Sequence, residues 1–266
     1  MRYALGVEYD GSAYCGWQRQ PDRLSIQEVL ESALSGIASE SVAAIAAGRT
    51  DRGVHACSQV IHFDTLAQRP LSAWVRGVNA LLPTSIAVLW AHRVPEEFHA
   101  RFSAHSRSYQ YLLLNHPVRT ALMAGKMGWY HHQLDLEQMR RGAQFLLGRQ
   151  DFSAFRAAEC QAKTPLKTLF QGEVTQDGSV FKFSFTADAF LQHMVRNMVG
   201  ALVSIGAGRE EPSWIQELLR SRNRTFAAPT FSPDGLYLTG VGYEAHWQLP
   251  QHMSRCDESI LKPDAR

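Results

Sequence analysis

The most informative stretch of the sequence is Gly48-Arg49-Thr50-Asp51-Arg52-Gly53-Val54-His55-Ala56. It lies between two segments that the residue pattern predicts as strands, at residues 42–47 and 59–65. Its two glycines bracket one carboxylate, Asp51, which has an arginine close on each side. Opposite charge nearby favours the ionised form, so Asp51 is expected to act as a carboxylate and not as a proton donor. Taken alone, such a loop is more often a surface turn than an active site.

Outward from this loop, the hydrophobic pattern predicts strands and helices in both halves of the chain. Strands are expected at residues 2–9, 42–47, 59–65, 86–94, 108–115, 169–175, 180–186 and 236–243. Helices are expected at residues 25–37, 72–81, 136–147 and 189–205. Ser25 and Glu28 form a capping-box signature at the start of the first helix. Residues 3–37 and 180–205 share the order strand, aromatic turn, helix, which hints at two similar halves.

The predicted fold is therefore α+β, with two similar α+β halves that form an extended, mainly antiparallel sheet flanked by helices. The first half is expected at residues 1–105 and carries the Asp51 loop. The second half is expected at residues 106–246, and a polar tail follows at residues 247–266.

Composition places the chain among globular proteins. Of its 266 residues, 45% are apolar and 20% charged, and its longest apolar runs are too short to span a membrane. Glu8 and Asp10 interrupt the N-terminal apolar stretch, which argues against a signal peptide, so a cytoplasmic location is expected. The 27 basic residues comprise 22 Arg and 5 Lys. Such a bias suits phosphate binding, and an arginine-rich genome explains it equally well.

No metal or other cofactor is expected. The four cysteines lack any C-x-x-C pair, which predicts free thiols and no zinc site. The eleven histidines, including the pair His131-His132, lack metal-binding spacing. Cys57 lies near the Asp51 loop but has no evident base partner, so a small buried thiol is the better interpretation.

The nonapeptide at residues 48–56 resembles the catalytic motif of the pseudouridine synthases, specifically the tRNA-acting subfamily called TruA. Further segments resemble the same subfamily in the same order. They are VEYDG at 7–11, GWQRQ at 16–20, FHARFSA at 98–104, residues 148–155, HMVRN at 193–197 with Val199-Gly200, and GLYL at 235–238. The resemblance spans roughly residues 3–243 and implies the pseudouridine synthase fold.

The resemblance also implies roles for individual residues. Asp51 matches the catalytic aspartate of the subfamily, and Tyr109 matches a tyrosine that contacts the target uracil. Arg196 matches a basic residue that approaches the aspartate, and Leu236 matches a leucine that packs beside it. Arg49 is expected to contact the phosphate of the flipped nucleotide, or to pair with Asp51.

These matches imply an isomerase that converts uridine to pseudouridine at positions 38, 39 and 40 of the tRNA anticodon arm. It would use one aspartate, base flipping and no cofactor, and it would act as a homodimer with tRNA as its partner and no membrane. Three routes stay open: attack by Asp51 at C1′, attack at C6, or a glycal intermediate. Arg52 departs from the small residue common in the subfamily, and its role is open.

Two other classes of function compete with this interpretation. A non-catalytic RNA-binding protein could keep the same fold, but the intact Asp51 and Tyr109 argue against it. A nucleoside hydrolase would share a carboxylate at C1′. It would usually show a second carboxylate or an aspartate cluster, and none is visible near Asp51.

Overall fold

The structure is a computed structural model that describes residues 1–250. The predicted polar tail therefore lies outside the described residues from position 251 onward. The strands are β1 (Arg2–Tyr9), β2 (Ala44–Ala46), β3 (His55–Asp64), β4 (Ile86–Val94), β5 (Ala104–Asn115), β6 (Gly128–Tyr130), β7 (Gly148–Asp151), β8 (Leu166–Asp177), β9 (Val180–Ala187) and β10 (Leu236–Tyr243). The helices are α1 (Ile26–Ala38), α2 (Val78–Leu81), α3 (Leu136–Gln144), α4 (Met194–Gly206) and α5 (Trp214–Ser221).

The chain divides into two compact units. The first contains Met1–His105 and the described residues from Tyr237 onward, and the second contains Ser106–Leu236. From Tyr237 onward, β10 belongs to the first unit although it follows the second in the chain, and it pairs with β3. The predicted fold class is confirmed: the molecule is α+β, with mainly antiparallel strands flanked by helices.

In the first unit, β1 lies between β3 and β4 and is antiparallel to both. β2 is antiparallel to β3, and β10 runs parallel to β3. Helix α1 begins as predicted, because the Ser25 side chain accepts a hydrogen bond from the backbone N–H of Glu28. Its apolar stripe is buried, and a separate aromatic cluster forms where Trp74 packs against Tyr3 and Phe63 with ring centroids 5.4 and 5.1 Å apart.

In the second unit, β5, β9, β8 and β7 form an antiparallel series, and the short β6 runs parallel to β5. β9 alternates strictly and buries Phe181, Phe183 and Phe185 on one face. Full burial of each ring contributes about 1.5–3 kcal/mol to stability. Helix α3 approaches α4 closely at Gly142, where an added Cβ would lie 2.9 Å from Ile205 Cδ1.

Several predicted boundaries are confirmed, and others are wrong. β1, β4 and β10 begin and end at the predicted residues. β3 starts at His55, four residues earlier than expected, because parallel pairing with β10 extends it to His55 and Ala56. The helix expected from residue 189 begins only at Met194, because His193 has a left-handed backbone with φ 62°.

The sequence interpretation missed β6, β7 and α5. β6 and β7 contain three and four residues, which is too few for a period to be detected. Helix α5 did offer a signal, because Ile215, Leu218 and Leu219 share one face and are buried. Among the described residues, Cys15 and Cys160 are free thiols, as predicted, and Cys57 is buried.

Candidate active site

The Asp51 loop connects two adjacent antiparallel strands, β2 and β3, as the sequence predicted. A turn closes its end, where the backbone N–H of Val54 donates to the carbonyl of Asp51 over 3.1 Å. Gly53 has φ 78°, a left-handed conformation that glycine adopts without a Cβ clash. Asp51 is half-buried, while the flanking Arg49 and Arg52 are exposed. The loop therefore holds a carboxylate at the edge of solvent between two cations.

Thr50 fixes this loop through both its side chain and its backbone. Its hydroxyl shares a 2.8 Å hydrogen bond with the hydroxyl of Tyr9, and its carbonyl accepts from the backbone N–H of Trp17 over 3.0 Å. The side-chain amide of Gln59 donates to the carbonyl of Gly48 over 2.7 Å and to the hydroxyl of Tyr9 over 3.4 Å. These contacts form an anchoring network of Tyr9, Thr50, Gln59, Trp17 and Gly48. They fix the loop at Gly48 and Thr50, on the N-terminal side of the Asp51 carboxylate.

Burial raises the pKa of the Tyr9 phenol to about 12. Tyr9 therefore keeps its proton well above neutral pH, and its hydroxyl accepts from Gln59 and shares a hydrogen bond with Thr50. Sequence reasoning missed this role, and also that of Gln59. Tyr9 belongs to the quoted VEYDG segment, but nothing in the sequence links it to a threonine 41 residues away.

The segment that follows β1 packs closely on the same loop. A Cβ added at Gly11 would lie 2.0 Å from the carbonyl oxygen of Val54, and one added at Gly16 would lie 2.8 Å from that of Thr50. The backbone N–H of Gly11 donates to His55 Nδ1 over 3.1 Å, and the His55 ring stacks on Tyr237 with centroids 4.6 Å apart. Two glycines of the quoted motifs are therefore needed for close backbone contact.

Tyr109, Arg196 and Leu236 belong to the second unit. Tyr109 lies on β5, is 9% exposed, and meets Phe190 edge to face with centroids 5.1 Å apart. Leu236 opens β10 and is buried. Arg196 lies in the first turn of α4, half-buried, and its Nε donates to the carbonyl of Phe231 over 2.8 Å.

A short segment joins these elements within the second unit. Phe231 accepts the hydrogen bond from Arg196, and its ring meets that of Tyr111 on β5 with centroids 5.7 Å apart. Further along, the carbonyl of Gly235 accepts from the backbone N–H of Leu112 over 2.9 Å. The structure therefore brings the start of α4, β5 and the segment before Leu236 together.

One detail of the sequence interpretation is wrong here. The helix predicted at residues 189–205 would include Gln192, His193 and Arg196, but the first two residues precede α4. Sequence reasoning also missed Asn197. Its fully buried amide donates to the carbonyl of Phe155 and accepts from Arg224 and from the Thr230 hydroxyl.

Within residues 1–250, no group of three or more His, Cys, Asp or Glu side chains could hold a metal ion. The described helices also include none that is long and apolar enough to cross a membrane.

Comparison with known proteins identifies the family. A family model described as tRNA pseudouridine synthase matches residues 6–103 and 143–244. A protein of Methylobacillus flagellatus named tRNA pseudouridine synthase A is 61% identical over 250 residues, which cover 94% of this chain and 96% of the relative. The protein of that name from Chromobacterium violaceum is 58% identical over 263 residues, 98% of this chain and 99% of its own. The class is that of the pseudouridine synthases. Within it, the chain belongs to the tRNA pseudouridine synthase family.

Proposed function

We propose that this protein isomerises uridine to pseudouridine in tRNA, at positions 38, 39 and 40 of the anticodon arm. Family membership and the name shared by its relatives support the reaction and the substrate. The anticodon-arm positions rest on the subfamily resemblance of the Asp51 loop. The observation that carries the proposal is a half-buried carboxylate, Asp51, on a loop fixed by the anchoring network.

The reaction breaks the N1–C1′ bond, rotates the uracil and forms a C5–C1′ bond. C5 loses a proton and N1 gains one, so no atom enters or leaves overall. Breaking the bond at C1′ develops positive charge on the sugar, and a fixed carboxylate can stabilise or trap it. Asp51 supplies that group, and the reaction needs no electron transfer from a redox cofactor.

The other proposed roles concern the extruded base and its backbone. A base inside a stacked helix is out of reach, so the nucleotide must be flipped out and held by stacking and edge contacts. Tyr109 contacts the flipped uracil, and Arg196 and Leu236 support the catalytic aspartate. Arg49, which is exposed, binds the phosphate of the flipped nucleotide. The cytoplasm is the proposed location, because the proposed substrate is tRNA.

The direct test is to incubate the purified protein with bulk unmodified tRNA and to map pseudouridine by carbodiimide modification and primer extension. Pseudouridine at positions 38 to 40 is the expected result. Binding of tRNA with no pseudouridine formed would favour the non-catalytic RNA-binding alternative. Pseudouridine confined to another part of the tRNA would contradict the anticodon-arm assignment, but it would support the proposed reaction.

Tyr9→Phe tests whether the anchoring network positions Asp51. The change removes the hydroxyl that bonds Thr50 and Gln59 and keeps the ring. We expect kcat to fall about tenfold, less than the ~100-fold that a 1 Å misplacement can cost. KM for tRNA should stay unchanged, because Tyr9 is buried and cannot touch RNA. Steady-state kinetics of pseudouridine formation provide the measurement.

Tyr14→Phe is the matched control. Its hydroxyl shares a 2.7 Å hydrogen bond with Ser85, so the change also removes one hydroxyl pair from a buried tyrosine in the same unit. Both variants should lose about 1 kcal/mol of stability, but only Tyr9→Phe should lose kcat. An equal fall in kcat for both variants would mean that the effect follows stability and not the position of the loop.

A homodimer in which one tRNA touches both subunits is the proposed assembly. An anticodon arm and elbow span more surface than one chain of this size presents around a cleft, and two-fold pairing is the commonest way to enlarge a surface. Light scattering should give twice the mass of one chain. Chains carrying Asp51→Ala should regain activity when mixed with chains in which exposed arginines such as Arg141 and Arg220 are replaced.

Some of these arginines have partners within the fold and are unsuitable for replacement in this test. Arg224 lies close to Arg220 and Arg222 in the sequence, but it bonds Asn197 and Thr230, so its loss would disturb the fold. Arg222 also has a partner, because its Nε lies 3.3 Å from Oδ2 of Asp151. A monomer at working concentration, or no recovery in a verified mixed dimer, would refute the shared-substrate assembly and leave the chemistry at Asp51 untouched.

A further inference from the structure

The turn between β4 and β5 is held by an unusually complete set of hydrogen bonds. The backbone N–H of His99 donates to the Ser103 hydroxyl over 2.9 Å, and the backbone N–H of Ser103 donates back to the carbonyl of His99 over 2.8 Å. The carbonyl of Ala100 accepts from the Tyr243 hydroxyl over 2.6 Å, and the backbone N–H of Ala100 donates to His62 Nδ1 over 3.1 Å. The backbone of this turn is therefore fixed by bonds within the turn and by bonds to His62 and Tyr243.

The side chain of His99 organises the tip of the turn. Its Nδ1 accepts from the backbone N–H groups of Arg101 and Phe102, each over 3.2 Å. Acceptance at Nδ1 requires that this nitrogen carries no proton. Burial is the main cause that lowers the pKa of His99, and burial also lowers the pKa of His62 to about 4. Both rings are therefore neutral at physiological pH, as the hydrogen bonds require.

The three rings form an aromatic column: His62, His99 and Phe102. The centroids of His62 and His99 lie 4.7 Å apart, and those of His99 and Phe102 lie 4.3 Å apart with an interplanar angle of 29°. Exposure rises along the column, since His62 is buried, His99 is half-buried and Phe102 is 76% exposed. The column thus begins in the core and ends on a large apolar ring in solvent.

Arg101 adds a cation at the same place. Its guanidinium carbon lies over the Phe102 ring, 5.6 Å from the ring centroid. An aromatic face next to a guanidinium fits a nucleotide, because a nucleobase stacks on the ring while its phosphate pairs with the arginine. One ring is too small a surface to hold a protein partner by itself, whereas one stacked base needs no more.

We propose that Phe102 is a stacking platform for a nucleobase of the tRNA substrate, with Arg101 binding an adjacent phosphate. This site rests on the proposed function, because its ligand is RNA, and it deepens that function by naming a contact. The platform is preorganised, since the hydrogen-bonded turn and the aromatic column hold the ring before RNA arrives. Little side-chain entropy is then lost on binding.

The test measures affinity for unmodified tRNA in an Asp51→Asn background, where the substrate is not converted. Phe102→Ala should weaken binding about 5- to 150-fold, the range found when an aromatic base platform is removed. Phe102→Leu should weaken it similarly, because leucine keeps apolar volume but no π face. Phe102→Trp should retain affinity, and its added indole should show fluorescence quenching on tRNA addition beyond that of the parent protein.

Salt dependence separates the two parts of the site. Arg101→Ala should reduce the slope of log affinity against log salt by about one, because one phosphate contact is lost. Phe102→Ala should leave that slope unchanged, since stacking releases no counterion. The control is Phe170→Ala, which removes another exposed phenylalanine, 57% accessible, and should leave affinity and slope unchanged.

Several outcomes would overturn the platform. If the wild-type protein isomerises tRNA, and Phe102→Ala in the Asp51→Asn background binds tRNA as tightly as its parent, the platform is wrong and the proposed function stands. If Phe102→Leu binds as well as the parent, the ring does not stack. If light scattering gives Phe102→Ala a different molar mass from its parent, the ring is a subunit contact and not a platform for a base. If the wild-type protein fails to bind unmodified tRNA at all, the platform and the proposed function both fail.

Discussion

Asp51→Asn is expected to lower kcat for uridine isomerisation by on the order of 10⁴-fold or more, comparable to the loss of a central catalytic side chain in other enzymes. The amide has the size of the carboxylate but no charge, so it can neither stabilise a cationic sugar nor attack it. Affinity for unmodified tRNA should change only a few-fold, because phosphate contacts supply most of the binding energy. Single-turnover pseudouridine formation and equilibrium binding measure the two effects separately.

Asp177→Asn is the matched control for this variant. It removes the same charge from an exposed aspartate at the β8–β9 hairpin, outside the Asp51 loop. Both variants should fold as the wild type does, and only Asp51→Asn should lose turnover. Turnover near the wild-type level in Asp51→Asn would refute the assignment of the catalytic carboxylate.

The fold could be predicted where a local pattern decides it. Strands β1, β4 and β10 match their predicted bounds, and Ser25 caps α1 as its sequence indicates. The start of α4 could not be predicted, because it depends on the left-handed backbone of His193. Histidine adopts this conformation more often than most residues do, but the sequence does not show which histidine will. The extension of β3 to His55 depends on pairing with β10, a strand about 180 residues further along the chain.

The candidate site shows the same division between local and long-range information. Asp51 and Arg49 stand out because one short motif carries them. The groups that fix the motif are distant in sequence, since Tyr9 and Thr50 are 41 residues apart. In the second unit, Asn197 likewise bonds Thr230 from 33 residues away. A buried polar side chain can be recognised as a network member only when its partners are known.

Gly16→Ala is expected to lower kcat by about 100-fold, because it forces the Asp51 loop out of place. The added methyl group would lie 2.8 Å from the carbonyl oxygen of Thr50 and 3.1 Å from the carbonyl carbon of Asp51. Both contacts are with backbone, so no side chain can rotate away to relieve them. The same carbonyl of Thr50 already accepts from the backbone N–H of Trp17, which ties the two segments together. Either the segment at Gly16 or the Asp51 loop must therefore move.

Gly148→Ala is the control that separates the effect of backbone strain from the effect of displacing the Asp51 loop. Gly148 has φ 89°, close to the 96° of Gly16, but a Cβ added there meets no atom within 4 Å. Each substitution should cost about 1–3 kcal/mol of stability through its positive φ. Only Gly16→Ala should lose kcat while both proteins remain folded, as measured by thermal unfolding and by pseudouridine formation well below the midpoint. If Gly148→Ala loses as much kcat as Gly16→Ala, the fall reflects strain. Close contact with the Asp51 loop would then not explain why glycine stands at position 16.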